Sequence, residues 1–327
     1  MKKPAIVVAL ATLLLGIGVS DTSATTLRDD FGPTVVTGIP ADPPDGVPAT
    51  QLVVPLATVD TPITAGTTAY VYSELRAYDA AHANLIDNEV RCTGAGASNV
   101  VMGENVLPAA GAPVHKDITL VTRFLVSATV DGTLTCTLYL RTASTSPSVS
   151  RETVSGHLRF ASTSVGEDVN GYAMQKSVPA GNFAVPGSLT TPVLDRTVPE
   201  RYTKVAVIAD VEYHRCANGP SCTANYSKAR FRLTVTTSGG ANCPSAPVAQ
   251  IEESVPRGVN HAAIPLYTTV QLPTGCDTFH AKLTTSYLAG DVGTVGGAAT
   301  GLTDGTGQTG SSPNHTSVMT HIFAVPS

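Results

Sequence analysis

The feature that most constrains this fold is a regular alternation of apolar and polar residues. Over residues 134–141, Leu, Cys, Leu and Leu alternate with Thr, Thr, Tyr and Arg. A period of two places the first set on one face of a strand and the second, including Arg141, on the other. Phe231, Leu233 and Val235 alternate with polar residues in the same way. Both regions are therefore predicted to be half-buried antiparallel strands.

Turn and breaker residues extend this prediction to the whole chain. The 327 residues include 29 Gly and 23 Pro, and no stretch longer than about ten residues shows capped helical periodicity. Asp131-Gly132 follows an apolar run over 118–130, which predicts a hairpin. Residues 204–213 are apolar on both faces in their middle, which predicts a central strand. We expect an all-β protein.

The charge balance excludes some partners. The chain has 20 Lys and Arg against 25 Asp and Glu, a net charge of −5. General affinity for nucleic acid or an anionic membrane surface is not expected. With 42% hydrophobic residues, the chain has enough apolar surface for packed cores.

The first 24 residues are predicted to be a signal peptide. Lys2 and Lys3 precede an apolar run over 5–19, and small residues end at Ala24. The run is shorter than the roughly 20 residues that cross a bilayer. We therefore expect a secreted, extracellular protein without a membrane span. Residues 25–50 form a Pro- and Gly-rich leader, which is either extended or docked on the first domain as an edge strand.

An internal duplication is predicted from recurring residues. Ser177-Val178 and the Phe-Ala-Val-Pro of 183–186 recur 140 positions later, and Cys136 and Cys276 have the same separation. Two shorter matches pair 71–75 with 207–211, and 61–63 with 191–193. We interpret the chain as two tandem β-sandwich domains, 51–187 and 188–327, with one strand order. Immunoglobulin-like is the architectural hypothesis.

Six cysteines in an exported chain predict three disulfides. If Cys136 and Cys276 are equivalent, each pairs within its own domain. The expected pairs are Cys92–Cys136, Cys216–Cys222 and Cys243–Cys276. A zinc site is the competing interpretation, but the five residues between Cys216 and Cys222 exceed the usual spacing.

Glu212, His214 and Cys216 share one strand face in the sequence pattern. A carboxylate, an imidazole and a thiol together suggest chemistry, but a disulfide would remove the thiol. A solvated histidine at a strand end is the simpler interpretation. We predict no catalytic residue, metal ligand or cofactor.

Two protease-like motifs are also rejected. Ala80-Ala81-His82 resembles the histidine motif of trypsin-like proteases, but Gly290-Asp291-Val292-Gly293 has Val where that family needs its nucleophilic Ser. Without a hydroxyl, acyl transfer by that mechanism is impossible.

Two surfaces remain as candidates for binding. Gly290–Thr316 is Gly-rich and contains Asp291 and Asp304, but lacks the nine-residue period of calcium-binding repeats. It is predicted to be a long mobile loop, whose function the sequence leaves open. Tyr70, Tyr72 and Tyr78 share strand parity and form either an exposed aromatic row or a contact with the neighbouring domain.

The sequence thus favours a secreted, non-catalytic binding module or extracellular structural protein. Its expected partner is an extracellular protein or a cell-surface component, with ligand and oligomeric state undetermined. One alternative is a protease inhibitor that uses the Cys216–Cys222 loop. A less favoured one is an extracellular hydrolase.

Overall fold

A computed structural model describes residues 25–41, 51–78, 83–105, 117–144, 151–162, 174–185, 192–216, 222–256, 259, 261–302 and 315–327. Every regular element among these residues is a β-strand, so the all-β prediction is confirmed. None of them belongs to a helix that could cross a membrane. The predicted signal peptide lies outside the described residues.

The first eight strands form the first sandwich. Strands β1 to β8 span Arg28–Thr37, Leu52–Ile63, Thr68–Tyr78, Ala83–Gly94, Ser98–Asn105, Ile118–Ser127, Gly132–Ser144 and Arg151–Ser162. Sheet 1 has the order β1-β8-β3-β6, and sheet 2 contains β5-β4-β7-β2. Buried residues from both sheets, such as Val71, Phe124 and Leu138, share one core.

This strand order is that of a jelly roll. An immunoglobulin domain places its first, second, fifth and fourth strands in one sheet and the others in the second. Here β1 and β2 lie in different sheets, so the immunoglobulin-like hypothesis is wrong for the first sandwich. Alternation specified the faces of the strands, but the long-range pairing that distinguishes the two folds has no local signal.

The remaining strands form the second sandwich, except for two short ones that extend sheet 2. Strands β9 to β20 span Gln175–Ser177, Asn182–Ala184, Val193–Thr197, Lys204–His214, Tyr226–Ser238, Ala249–Pro256, His261–Gln271, Thr278–Gly290, Thr294–Gly296, Ala298–Leu302, His315–Val318 and His321–Pro326. Sheet 3 has the order β11-β16-β13-β14. In sheet 4, β12 pairs with β15 on one edge and with β20 and β17 on the other. The predicted central strand is thus present.

The two sandwiches share a strand order once β4 and β5 are left out of the first and β9, β10, β17 and β20 out of the second. Sheet 3 then corresponds to sheet 1, and the β12–β15 pair to β2–β7. The recurring residues do not follow this correspondence. Phe183 lies in β10 and Phe323 in β20, both in sheet 4. Those sequence matches therefore do not mark equivalent strands.

Four short strands cross the boundary predicted near residue 187. β9 and β10 precede it but pair with β20 and β17 of sheet 4. β18 and β19 follow it but belong to sheet 2, where β18 pairs with β19 and Val318 of β19 lies parallel to Val100 of β5. The sheets therefore do not separate at that position, and the predicted division of the chain stays a prediction.

One local prediction needs correction, and one open alternative is decided. Asp131-Gly132 joins β6 of sheet 1 to β7 of sheet 2, so it makes a corner between sheets instead of a hairpin. The Asp131 side chain accepts a hydrogen bond from the Ala65 N–H at 2.8 Å, which fixes that corner. Residues 28–37 of the predicted leader pair with β8, so the edge-strand alternative holds there.

The prediction for Arg141 also needs correction, because its side chain is buried and not outward-facing. Its side chain is 1% exposed and donates to Glu89 Oε2 at 3.0 Å and to Gln51 Oε1 at 2.7 Å. Glu89 is itself fully buried, and it also accepts from Arg91 and from the Ser317 hydroxyl of β19. Because these charged groups pair with one another, they are stable in the interior. The Ser317 hydrogen bond also links β19 to Glu89 of β4 in sheet 2.

The disulfides in the structure are Cys92–Cys136, Cys216–Cys222 and Cys243–Cys276, the same pairs that the sequence led us to expect. Cys92 and Cys136 lie opposite each other in β4 and β7, with a Cα–Cα distance of 4.0 Å. Cys276 instead lies in the turn before β16. Cys136 and Cys276 are therefore not equivalent positions.

Candidate functional site

The candidate site lies where β12 faces the first sandwich. Alternate residues of β12, such as Val211 and Tyr213, enter the core of the second sandwich. The intervening residues Asp210 and Glu212 are each 1% exposed, and both contact first-sandwich residues. Buried carboxylates need charged or hydrogen-bonding partners, and the junction supplies them.

Glu212 is held from three sides. Its Oε1 contacts His261 Nδ1, and its Oε2 accepts a hydrogen bond from the Gly103 N–H of β5 at 3.3 Å. Its own N–H donates to the Thr320 hydroxyl at 3.0 Å. The carboxylate is therefore fixed in orientation, with one oxygen toward β15 and the other toward the first sandwich.

His214 completes a cluster of three potential ligands. It lies directly opposite His261 in the β12–β15 register, and the two ring centroids are 5.2 Å apart. Its Nε2 is buried and has no hydrogen-bond partner among the described residues. One ligand atom each from Glu212, His214 and His261 lie within 4.8 Å of one another. We call these three residues the Glu-His-His cluster.

Burial controls the protonation of this region. It lowers the pKa of His214 to about 4, with a further lowering by His261 and an opposing effect of Glu212. Burial also raises the pKa of Asp87, on β4, to about 7, although His261 and Arg141 lower it. At neutral pH the His214 imidazole is uncharged, so its unprotonated nitrogen has a free lone pair.

Two glycines make room for the cluster. A Cβ at Gly296 of β17 would lie 2.9 Å from His214 Nε2. A Cβ at Gly103 would lie 2.0 Å from Asp87 Oδ1 and 3.1 Å from His261 Cε1. Both positions therefore favour glycine because ring and carboxylate atoms occupy the adjacent space.

The sequence identified only part of this cluster. Glu212 and His214 are together as the period predicted, but neither is a solvated surface residue. Cys216 follows the end of β12, is bonded to Cys222 and does not join the cluster. His261 was missed, because it is 47 positions from His214 along the chain and only the pairing of β12 with β15 brings them together.

The three tyrosines of the predicted row have different surroundings, so an exposed row and a contact with the neighbouring domain each apply to part of it. Tyr70 packs edge-on against Phe323 of the second sandwich, with ring centroids 5.3 Å apart. Tyr72 stacks with His157 at 5.5 Å and lies 4.7 Å beneath the Arg159 guanidinium. Tyr78 is 41% exposed. All three tyrosines thus lie on the outer face of sheet 1, and Tyr70 is the one that contacts the neighbouring sandwich.

The remaining candidates have structural roles or lie outside the described residues. Asp291 is buried and accepts hydrogen bonds from the N–H groups of Thr223 and Ala224 at 3.0 and 2.9 Å. Gly290 ends β16, and Thr294–Gly296 and Ala298–Leu302 form β17 and β18, so most of this part of the predicted loop is strand. His82, Asp304 and residues 217–221 fall outside the described part of the chain.

A cleft of about 150 Å³ lies beside the Cys243–Cys276 bridge. Tyr202, Leu272 and Cys276 are among its lining residues, and no member of the Glu-His-His cluster is. Ligand pockets usually measure about 300–1,000 Å³, so this cleft does not suggest a small-molecule site.

Comparisons place the chain beside two solved structures at low similarity. The stem and receptor binding domain of the spike protein P1 from bacteriophage PM2 is 8% identical, with 86% of this chain and all of that chain covered and a TM-score of 0.24. The N-terminal CBM22-1-CBM22-2 tandem domain of Paenibacillus barcinonensis Xyn10C is 10% identical, with coverages of 82% and 92% and a TM-score of 0.22. No family model and no curated protein matches the sequence. TM-scores this low carry no conclusion about function.

Proposed function

We propose that this protein is a secreted, non-catalytic binding protein whose contact surface is the outer face of sheet 1. The partner is an extracellular protein or a cell-surface component. The observation that carries the proposal is the row formed by Tyr72, His157 and Arg159, in which aromatic and guanidinium groups are packed on one another across β3 and β8.

The rest of this face is also ordered by pairing. Arg76 bonds Glu74 at 2.6 Å, and Arg28 bonds Asp30 at 2.6 Å. Tyrosine and arginine dominate the energetics of many protein interfaces. Side chains already fixed by stacking and ion pairs lose little conformational entropy when a partner binds. A rigid four-stranded sheet therefore presents preorganised contact groups.

Binding to cell-wall and cell-surface fractions of the producing cells tests the proposal. The double variant Tyr72→Ala/Arg159→Ala is expected to weaken saturable binding at least tenfold, roughly the loss of one hot-spot contact. The matched control is Arg232→Ala/Lys282→Ala on the outer face of sheet 3, which should bind as wild type. Equal losses in both variants would assign binding to another surface.

Assays with ester, peptide and glycoside substrates test the non-catalytic part of the proposal. We expect no turnover. Activity that survives repurification and disappears in a point variant would contradict it.

A protease inhibitor is the second candidate function. The Cys216–Cys222 disulfide closes the loop, and Asp291 fixes the backbone immediately after Cys222. A constrained loop of this kind suits insertion into a protease. Tight inhibition of one secreted protease, abolished by substitutions within residues 217–221, would favour this function over the sheet-1 proposal.

We also propose that the two sandwiches descend from one duplicated unit. The support is a common order of six strands, from which β4 and β5 of the first sandwich and β9, β10, β17 and β20 of the second are left out. A structural alignment should superpose β2 on β12 and β8 on β16. Superposition only through a different strand pairing would contradict duplication.

A further inference from the structure

We propose that the Glu-His-His cluster is a Zn²⁺-binding site at the junction of the two sandwiches. The ligand atoms are Glu212 Oε1, His214 Nε2 and His261 Nδ1. This inference does not depend on the proposed binding function, because it concerns a buried cluster and not the outer face of sheet 1.

The distances between the ligand atoms of the cluster suit a small cation after a small movement of the His261 ring. Zinc binds nitrogen and carboxylate oxygen at about 2.0–2.2 Å, so tetrahedral ligand atoms are about 3.4 Å apart. One ligand atom from each of the three residues already lies within 4.8 Å of those from the other two. The His261 ring contacts Glu212 directly, and a small outward movement of that ring would admit the ion between them.

A simple ion pair accounts for only two of the three residues. His261 and Glu212 can satisfy one another, but His214 Nε2 remains buried without a hydrogen-bond partner among the described residues. Leaving such a buried nitrogen without a hydrogen bond destabilises the folded protein. A metal ion shared by all three would satisfy this nitrogen and the Glu212 charge together.

The surroundings hold the ligands as metal sites require. The Gly103 N–H fixes Glu212 through its second oxygen, which leaves Oε1 for the ion. Both histidines are on paired strands, and Gly296 provides the clearance beside His214. Hydrogen bonds that orient metal ligands commonly add tenfold or more to affinity.

The donor set identifies the class of metal. Two imidazoles and one carboxylate suit Zn²⁺, whereas Ca²⁺ requires six or more oxygens and Mg²⁺ an octahedral oxygen shell. Three protein ligands leave a fourth position on zinc for water or another group.

The test is zinc titration of the full mature chain, freed of any affinity tag and stripped with a chelator. Calorimetry and elemental analysis should show one Zn²⁺ per wild-type chain. His214→Ala and His261→Ala should each weaken binding at least about 100-fold. His280→Ala is the matched control, because His280 contacts the Asp195 carboxylate on the surface and belongs to no three-ligand group among the described residues. It should bind zinc as wild type does.

Gly296→Ala keeps every ligand and tests the geometry. Its methyl group would displace the His214 ring, so zinc affinity should fall about tenfold while the circular dichroism spectrum stays unchanged. Wild-type protein that binds no zinc in the titration overturns the proposal, whether or not the histidine variants fold. Wild-type affinity in Gly296→Ala, or equal losses in His280→Ala and His261→Ala, would also overturn it.

Discussion

At the scale of single residues, the interior of this protein contains carboxylates whose surroundings set their charge. Glu152 on β8 is 5% exposed and accepts a hydrogen bond from the Thr142 hydroxyl at 3.3 Å. Burial raises its pKa from 4.5 to about 7, and the Thr142 hydrogen bond only partly opposes this. Glu89, by contrast, has Arg141 and Arg91 beside it. Glu89 thus has two arginine partners, whereas the hydrogen bond described for Glu152 comes from a neutral hydroxyl.

The raised pKa of Glu152 predicts that the stability of the folded protein depends on pH. The folded protein binds the Glu152 proton more tightly than the unfolded chain does. The protonated carboxyl therefore costs no stability below pH 4.5, and the free energy of unfolding falls as the pH rises from 4.5 through about 7. The full effect is about 3 kcal/mol of unfolding free energy. Urea unfolding from pH 5 to 8 should show wild type losing this stability and Glu152→Gln losing much less. Glu200→Gln, at an exposed position, should follow wild type, and parallel curves for all three would refute the assignment.

At the scale of elements, the register between strands decides which groups meet. His261 joins Glu212 and His214 only because β15 pairs with β12 along its whole length. The Cys92–Cys136 bridge likewise depends on the β4–β7 register. The three disulfides therefore close very different lengths of chain.

Removing a bridge should destabilise the protein more when the bridge closes a longer loop, with a logarithmic dependence on loop length. Cys92–Cys136 spans 44 positions and Cys216–Cys222 spans six. Double Cys→Ala variants are expected to lose about 4 and about 2 kcal/mol of unfolding free energy, respectively. Urea denaturation measures the losses, and non-reducing peptide mapping should recover the three pairs. The expectation rests on a disulfide stabilising a protein mainly by restricting the unfolded chain. A larger loss of stability on removing the Cys216–Cys222 bridge would contradict it.

At the scale of the whole molecule, buried polar contacts join the two sandwiches. Asp210 of β12 is 1% exposed and binds Arg123 of β6, whose Nε donates at 3.1 Å and whose backbone N–H donates at 3.2 Å. Gln175 accepts from the Leu125 N–H at 2.8 Å, and Tyr70 packs on Phe323. Each sandwich therefore stabilises the other.

The substitution Asp210→Ala should uncouple the unfolding of the two sandwiches. The change leaves the Arg123 guanidinium, which is only 11% exposed, without its buried counter-ion, and such losses cost about 3–5 kcal/mol. Thermal unfolding should change from one transition to two. Asp195→Ala, at an exposed carboxylate, should stay within about 0.5 kcal/mol of wild type. A single unshifted transition for Asp210→Ala would contradict the coupling.

The sequence by itself determined the strand class and much of the burial. The inward faces at Leu134–Leu140 and Phe231–Val235 and the central position of β12 follow from side-chain period, which is a local property. The tertiary structure decided which strands pair. It placed β6 and β7 in different sheets, used 28–37 as an edge strand, buried Arg141 beside Glu89 and brought His261 to Glu212. The physical reason is that strand pairing depends on contacts between residues distant in the chain, and alternation of side chains is the same whichever partner a strand finds.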